Sequence, residues 1–181
     1  MVDPKSTEWT DEEQEVAVAI LGKIAYCQNK GKDMPGEVFE AHVRSKKNIS
    51  TELALFNEKG KLYLVRRPTP WESPSEPYPG QLHCPGVTHG KNEFLGNTFE
   101  RLKRREGVDF DWVIPAATVD ATDSERGMYT LRIFIALARG IPTNPRGAFF
   151  FPHTDGDGLV ASHRDFVIPA AMKKYREVRG Y

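Results

Sequence analysis

The sequence predicts an α/β/α sandwich with a mixed sheet and an N-terminal helical extension. Three observations predict this class: apolar residues recur at helical spacing in the first fifty residues, the period changes to two from Thr51, and the strand-like segments that follow enclose one central helix and precede a final one. We therefore divide the chain into a helical extension, residues 1–50, and a sandwich domain, residues 51–181.

The N-terminal segment predicts two helices. Thr10 and Glu13 have the spacing of a capping box, ahead of apolar residues spaced by four over residues 11–29. Gly31 suits the end of this helix. Proline is favoured in the first turn of a helix, so a second, short helix is expected to begin near Pro35 and to direct four side chains inward: Val38, Phe39, His42 and Val43.

Alternation and turn residues predict the elements of the domain. Leu53 and Leu55 alternate with polar residues, residues 57–60 form a turn, and Leu62 and Leu64 continue the pattern, which predicts a β-hairpin. Five prolines make residues 68–80 a loop. The remaining predictions are an extended piece at 81–86, a helix at 97–106 that ends at Gly107, strands at 112–119, 128–138 and around 149–151, and a helix at 163–178 that contains Pro169.

The composition excludes several classes of protein. The 181 residues carry 25 basic and 25 acidic side chains, so net charge gives no reason to expect nucleic-acid or membrane partners. Two cysteines exclude a disulfide framework and a four-cysteine zinc site. The sequence has neither a membrane-spanning apolar run nor a secretory signal. We expect a cytoplasmic protein, with a homodimer as an open alternative.

Residues 61–108 carry a recognisable pattern. A strand ends in Arg66-Arg67, a proline-rich loop follows, and Pro85-Gly86 precedes a loop–helix–loop segment. This resembles the Nudix superfamily, whose box runs G-x5-E-x7-R-E-U-x-E-E-x-G-U, with U aliphatic. The box positions fall in order on Gly86, Asn92, Glu100, Arg101, Leu102, Arg104, Arg105, Gly107 and Val108. A one-residue insertion in the loop would instead place Glu93 at the first glutamate. The resemblance implies the Nudix α/β/α fold and hydrolases of nucleoside diphosphates linked to another moiety.

The box keeps the spacing of the family but not its chemistry. The family's helix supplies glutamates because divalent cations need carboxylate oxygens to bridge a substrate diphosphate. Those three positions hold Arg101, Arg104 and Arg105, and Glu100 replaces the arginine that would orient the glutamates. A guanidinium has no lone pair for a metal. We therefore expect no metal at this helix and weak or no pyrophosphohydrolase activity; Mg²⁺ is the expected cofactor only if the protein is an active hydrolase.

The remaining acids are weak catalytic candidates. Glu93, Glu100 and Glu106 lie in or beside the box. Glu106 is expected to point away from the direction of Arg105, because successive helical residues are rotated by about 100°. We expect the acids outside the box pattern to be solvated surface groups: Glu93, Glu106, Asp120, Asp123 and Glu125. Residues 155–158, Asp-Gly-Asp-Gly, predict a tight turn rather than a calcium loop.

His83, Cys84 and His89 are close in sequence, but residues around one strand end rarely converge on a zinc ion. Cys84 also suggests a resemblance to isopentenyl diphosphate isomerase, a Nudix relative with a catalytic cysteine. That cysteine adjoins the box glycine and precedes a histidine ligand, whereas Cys84 is displaced and Val87-Thr88 follow Gly86. We favour neither interpretation.

Arginines give the candidate binding residues: Arg66, Arg67, Arg101 and Arg105. Arg101 and Arg105 share a helix face, Arg104 can pair with Glu100, and guanidinium groups bind phosphate through strong hydrogen bonds. Aromatic side chains in the flanking loops could stack on a nucleotide base: Trp71, Tyr78 and Phe94. The competing interpretation is that Glu93, Glu100 and Glu106 neutralise the arginines in a structural network.

Three functions stay open at this point: a hydrolase with relocated acids, a binding or regulatory protein that holds a small phosphorylated ligand without cleaving it, and a module that recognises another protein through its N-terminal helices. The sequence favours loss of the usual mechanism, because water needs a metal or a base to become a nucleophile.

Overall fold

The computed structural model describes residues 8–30, 32–45, 47–89, 93–123, 127–152 and 158–180. Its elements in chain order are α1 (Asp11–Lys30), α2 (Gly36–Arg44), β1 (Asn48–Phe56), β2 (Leu62–Arg66), β3 (Leu82–His83), β4 (Gly86–Thr88), α3 (Leu95–Glu106), β5 (Asp109–Asp123), β6 (Gly127–Arg139), β7 (Gly147–Phe150) and α4 (Ile168–Arg179), with a π-helical turn (His163–Val167) leading directly into α4.

Seven strands form one mixed sheet. The main order is β3-β2-β1-β6-β5, with β4 paired to β1 and β7 paired to β2. Strand β1 runs parallel to β6 and antiparallel to β2 and β4, so it is central. Its side chains are buried on both faces, Leu53 and Leu55 in one layer and Ala54 and Phe56 in the other. The predicted hairpin of β1 and β2 is confirmed.

Helices cover the two faces of this sheet. Leu102 of α3 packs in the same layer as Leu53 and Tyr63. Ile168 of α4 packs in the opposite layer with Phe56, and the ring of Tyr175 stacks on Phe56 with centroids 4.1 Å apart. The predicted α/β/α sandwich with a mixed sheet is confirmed.

The predicted helix ends have clear physical causes. Gly107 adopts φ 61°, the left-handed conformation that terminates a helix, so α3 ends where predicted. Pro169 follows directly on the π-helical turn, so the residue without an N–H lies where the hydrogen-bond pattern changes from π-helical to α-helical. The strands β5 and β6 are longer than predicted and form one extended antiparallel pair.

The N-terminal helices match the sequence in outline. Thr10 and Glu13 form the capping box, with N–H···O distances of 2.9 and 3.3 Å. Gly31 and the side chain of Val43 lie outside the described residues. In α2, Val38 and His42 are half-buried, but the expectation for Phe39 is wrong: it is 36% exposed. Strand β1 begins at Asn48, before the predicted boundary, and the division into extension and domain stays a prediction.

None of the helices in the described residues has both the length and the apolar character needed to cross a lipid bilayer.

Candidate functional site

Helix α3 presents two different faces. Thr98, Leu102 and Glu106 follow at intervals of four and are all buried, so this row packs against the sheet. Arg101 and Arg105 lie on another row and are exposed, as predicted from their shared helix face. The helix therefore directs two guanidinium groups toward β4.

Each of these guanidinium groups joins a main-chain carbonyl of β4 to a carboxylate. Arg101 donates through Nη2 to the carbonyl oxygen of Thr88 at 3.0 Å and to Oε2 of Glu93 at 3.1 Å. Arg105 donates through Nη1 to the carbonyl oxygen of Gly86 at 2.9 Å and through Nε to Oε1 of Glu106 at 2.7 Å. The guanidinium groups of α3 thus hold the main chain at the start of the box.

The residues at the box helix do not fit Mg²⁺. Glu93 and Glu106 are each held by an arginine, and Asp120 pairs with Lys47 at 2.9 Å on the surface. No group of three or more histidine, cysteine or acidic residues is placed to hold a metal within the described ranges. The Asn92 box position, Glu125, residues 155–157 and the side chain of Asp123 lie outside those ranges.

Glu106 is not a solvated surface acid, and that prediction is wrong. It is 1% exposed because it continues the buried row of Thr98 and Leu102. Oε2 accepts hydrogen bonds from the hydroxyl of Tyr63 at 3.2 Å and from Nδ2 of Asn144 at 2.8 Å. Burial, and then the charge of Glu106, raise the pKa of Tyr63, so its hydroxyl remains a donor.

Glu100 is the most exposed of the three catalytic candidates from the sequence. The side chain of Glu93 is only 13% exposed, so the prediction that it is a solvated surface acid is wrong as well. Glu100 pairs with Lys103 at 3.3 Å, not with the predicted partner Arg104. Lys103 also pairs with Asp109 at 2.8 Å, so this end of the helix carries a surface ion-pair network.

A cavity of about 480 Å³, here called the basic groove, opens beside the C-terminal end of α3. Three arginines line it: Arg66, Arg105 and Arg146. The segment between β6 and β7 supplies Arg146, together with Thr143 and Asn144. Arg146 also lies 3.8 Å from Glu72. No sequence pattern marks Arg146 or Asn144 as site residues, because only the tertiary fold brings their segment to the end of α3.

The four arginines predicted from the sequence do not converge. Arg66 and Arg105 line the groove, and Arg66 also donates to the carbonyl oxygen of Gly80 at 2.8 Å. Arg67 instead forms two hydrogen bonds with the carboxylate of Glu76, at 2.9 and 2.8 Å. Arg101 is bound to Thr88 and Glu93 and is not part of the groove lining.

A second cavity, of about 90 Å³ and here called the polar cavity, shares His83 with the basic groove. Its lining includes Ser50, Glu52, Tyr78, Tyr129 and His163. The Ser50 hydroxyl donates to the Glu52 carboxylate, and Nε2 of His163 lies 3.6 Å from Oε2 of the same group. The polar cavity is thus lined by hydrogen-bonding side chains and lies next to the basic groove.

Both histidines of the polar cavity are neutral. Burial, and then the positive charge of Arg67, lower the pKa of His163 to about 3. The Glu52 carboxylate opposes this shift, but Nδ1 of His163 accepts the N–H of Cys84 at 3.2 Å, which requires an unprotonated Nδ1. Burial and then the His163 ring also hold the pKa of His83 well below its ordinary value.

The other sequence candidates do not assemble a centre. Cys84 is fully buried, and burial raises the pKa of its thiol. The thiol therefore stays protonated and is a poor nucleophile and a poor metal ligand. His89 hydrogen-bonds Oγ1 of Thr51 at 2.6 Å. Of the aromatic candidates, Tyr78 lines the polar cavity, whereas Trp71 and Phe94 are strongly exposed.

Solved structures of bacterial proteins share this architecture. A NUDIX hydrolase from Nitrosomonas europaea covers 74% of this chain and 90% of its own, with a TM-score of 0.55 and 17% identity. A mutT/nudix family protein from Listeria innocua covers 73% of this chain and 96% of its own, with a TM-score of 0.56 and 20% identity. The chain has the Nudix fold. The NUDIX domain of Shewanella oneidensis NrtR, solved with ADP ribose, covers 72% of this chain and 89% of its own, with a TM-score of 0.53 and 17% identity.

No protein-family model matches the sequence, and no curated protein matches it. The resemblance to the Nudix superfamily, which rested on residues 61–108, is confirmed as a likeness of fold. In this Nudix fold the box segment begins at β4 and includes α3, which is the helix that the spacing predicted. What differs is the set of side chains at the box positions.

Proposed function

We propose that this Nudix-fold protein binds a small phosphorylated ligand in the basic groove without hydrolysing it. The observation that carries the proposal is the convergence of Arg66, Arg105 and Arg146 on one cavity of about 480 Å³. Guanidinium groups form charge-assisted, bidentate hydrogen bonds with phosphate, which makes a phosphate-bearing ligand the natural occupant.

The charge of the groove supports an anionic ligand. Glu106 is the acid in its lining, and it is paired with Arg105, so the three arginines leave an excess of positive charge. The side chains of Arg105 and Arg146 are 42% and 47% exposed, which leaves donors facing solvent. A phosphate would satisfy several of them without displacing a buried group.

The acids and histidines in and around the groove argue against hydrolysis. A water nucleophile needs a metal or a general base. The box carboxylates Glu93 and Glu106 are held by guanidinium groups, and a pKa far below neutrality makes His83 and His163 weak bases. The protein would therefore bind a phosphorylated compound and release it unchanged.

ADP-ribose is a suitable probe, because the NrtR NUDIX domain of the same fold was solved with ADP ribose. Pyrophosphate is the simpler probe, since it tests the phosphate contacts alone. A ligand that carries more than phosphate would extend past His83 into the polar cavity, where hydroxyl and imidazole groups are available.

Calorimetric titration of both probes tests the proposal. Arg146→Ala should weaken pyrophosphate binding by about tenfold, because it removes one charge-assisted contact. Arg104→Ala is the matched control, because it removes an exposed arginine of α3 that does not line the groove. The affinity of this variant should stay within about twofold of wild type. Equal losses in both variants would indicate nonspecific charge attraction, and no binding by the wild type at millimolar probe would refute the proposal.

The absence of turnover needs its own assay. Wild-type protein incubated with ADP-ribose and Mg²⁺ or Mn²⁺ should show no phosphate-bond cleavage by ³¹P NMR. Cleavage that depends on the metal and disappears in Glu106→Gln would favour the hydrolase with relocated acids.

The interaction-module hypothesis has one specific observation in its favour. Helix α1 exposes an aliphatic set between 48% and 71%: Val16, Val18, Ile20 and Leu21. Exposed apolar groups of this kind mark association surfaces. If the helix mediates a homodimer, Val18→Lys with Leu21→Lys should convert the dimer to a monomer in light scattering, whereas a wild type already monomeric at high concentration would exclude self-association.

A further inference from the structure

Glu106 lines the basic groove, and both oxygens of its buried carboxylate accept hydrogen bonds. Oε1 accepts a hydrogen bond from Nε of Arg105 at 2.7 Å, and Oε2 accepts one from Nδ2 of Asn144 at 2.8 Å. One carboxylate oxygen of Glu106 thus binds Arg105 of α3, and the other binds Asn144 in the segment that carries Arg146.

The main chain extends this connection. The carbonyl oxygen of Glu106 accepts the N–H groups of Thr143 at 3.1 Å and Asn144 at 3.2 Å. Oδ1 of Asn144 then accepts the N–H of Arg146 at 3.0 Å, and the carbonyl oxygen of Arg146 accepts the N–H of Arg66 at 2.9 Å. All three groove arginines therefore belong to one hydrogen-bonded network that begins at Glu106.

Two glycines leave space for the side chains of this network. Gly147 has no side chain where the hydroxyl of Tyr63 passes on its way to Glu106, since a Cβ there would lie 1.8 Å from that oxygen. A Cβ at Gly107 would lie 1.8 Å from Oγ1 of Thr143. Small residues on both sides let the carboxylate, the tyrosine and the 143–146 segment meet.

We infer that Glu106 is a positioning residue of the basic groove: it sets the separation of the Arg105 and Arg146 guanidinium groups and thereby the affinity for a phosphate-bearing ligand. This inference rests on the proposed function. It assigns the role to a side chain at a variable position of the box, and it makes Asn144 the link through which Glu106 acts on Arg146.

Positioning and simple charge neutralisation predict opposite results. If Glu106 only offsets positive charge, Glu106→Gln makes the groove more cationic and tightens anion binding. If it positions the arginines, the amide loses an acceptor oxygen and presents N–H donors to the donors of Arg105 or Asn144, and binding weakens. The direction of the change therefore separates the two roles.

The experiment measures pyrophosphate affinity by calorimetry in three variants of the full chain. Glu106→Gln and Asn144→Ala should each weaken binding by at least about fivefold. Tyr63→Phe is the matched control, because it removes a hydrogen bond to Glu106 and leaves the links to Arg105 and Asn144 in place; its affinity should match wild type. Unchanged or tighter binding in Asn144→Ala and Glu106→Gln would overturn the inference, and Asn144→Ala decides alone if Glu106→Gln does not fold.

Hydrogen exchange in ligand-free protein separates this inference from the proposed function. The amides of Thr143, Asn144 and Arg146 should exchange faster in Asn144→Ala and keep their wild-type rates in Tyr63→Phe. If wild-type protein fails to bind pyrophosphate, the proposed function fails, and unchanged exchange in Asn144→Ala would show in addition that the network does not hold the segment.

Discussion

Lowering the pH should destabilise the fold through His163. Burial holds its pKa at about 3 in the folded chain, against an ordinary value of 6.5. The unfolded chain therefore takes up a proton first, so stability that is present above the unfolded pKa is lost as the pH falls from about 6.5 toward the folded value. Protonation in the folded state would also break the hydrogen bond from the Cys84 N–H to Nδ1.

The magnitude follows from the distance to the unfolded pKa. One pKa unit corresponds to about 1.4 kcal/mol, and pH 5 lies about 1.5 units below the unfolded value, so the loss between about pH 7 and pH 5 is about 2 kcal/mol from this group. The loss of stability is nearly the same for any pKa of His163 below about 4 in the folded chain, because the folded state then binds almost no proton at pH 5. His83 shifts in the same direction and adds to the total.

Urea unfolding at both pH values measures this loss, and the variant His163→Gln isolates it. Glutamine cannot titrate and can still accept the Cys84 N–H. Far-UV circular dichroism is the appropriate signal, because Trp9, Trp71 and Trp112 are all exposed and report little on the core. The wild type should lose about 2 kcal/mol more than the variant between about pH 7 and pH 5. Equal losses would mean that His163 titrates normally in the folded chain and that its burial does not destabilise the fold at low pH.

Three substitutions test the packing around α3. Leu102→Ala removes a fully buried side chain and should cost about 2–5 kcal/mol of unfolding free energy in urea titrations; a cost below about 1 kcal/mol would show that α3 does not pack as described. Tyr63→Phe removes one hydrogen bond to a carboxylate and should cost about 1.5 kcal/mol, and a stabilised variant would contradict the hydrogen bond to Glu106. Gly107→Ala places a Cβ in a left-handed residue and against Thr143, and should cost at least about 1–2 kcal/mol by thermal unfolding; an unchanged midpoint would be inconsistent with this helix end.

Elements whose cause is local could be predicted from the sequence. The end of α3 depends on a glycine that adopts a left-handed conformation, and the hairpin of β1 and β2 depends on alternation around a four-residue turn. The capping box of Thr10 and Glu13 is equally local. These features are set by interactions within a few residues, so the pattern and the structure agree.

The site depended on contacts that a sequence pattern does not encode. Glu106 continues the buried row of Thr98 and Leu102. Because glutamate side chains are usually exposed to solvent, residue type alone predicted a surface position for it. Its partners come from distant strands and loops, Tyr63 from β2 and Asn144 from the segment after β6. His163 likewise reaches Cys84 only because α4 covers the sheet opposite α3.

In the proposed phosphate site of this Nudix fold, guanidinium groups hold the anion without a metal ion. Titration of pyrophosphate into wild-type protein in the presence of EDTA distinguishes this site from a metal-dependent one. We predict saturable binding with one site per chain, weakened by added salt because the contacts are ionic and partly exposed. No binding in EDTA, followed by binding or hydrolysis once excess Mn²⁺ is supplied, would show that the site depends on a metal ion and would refute the proposed function.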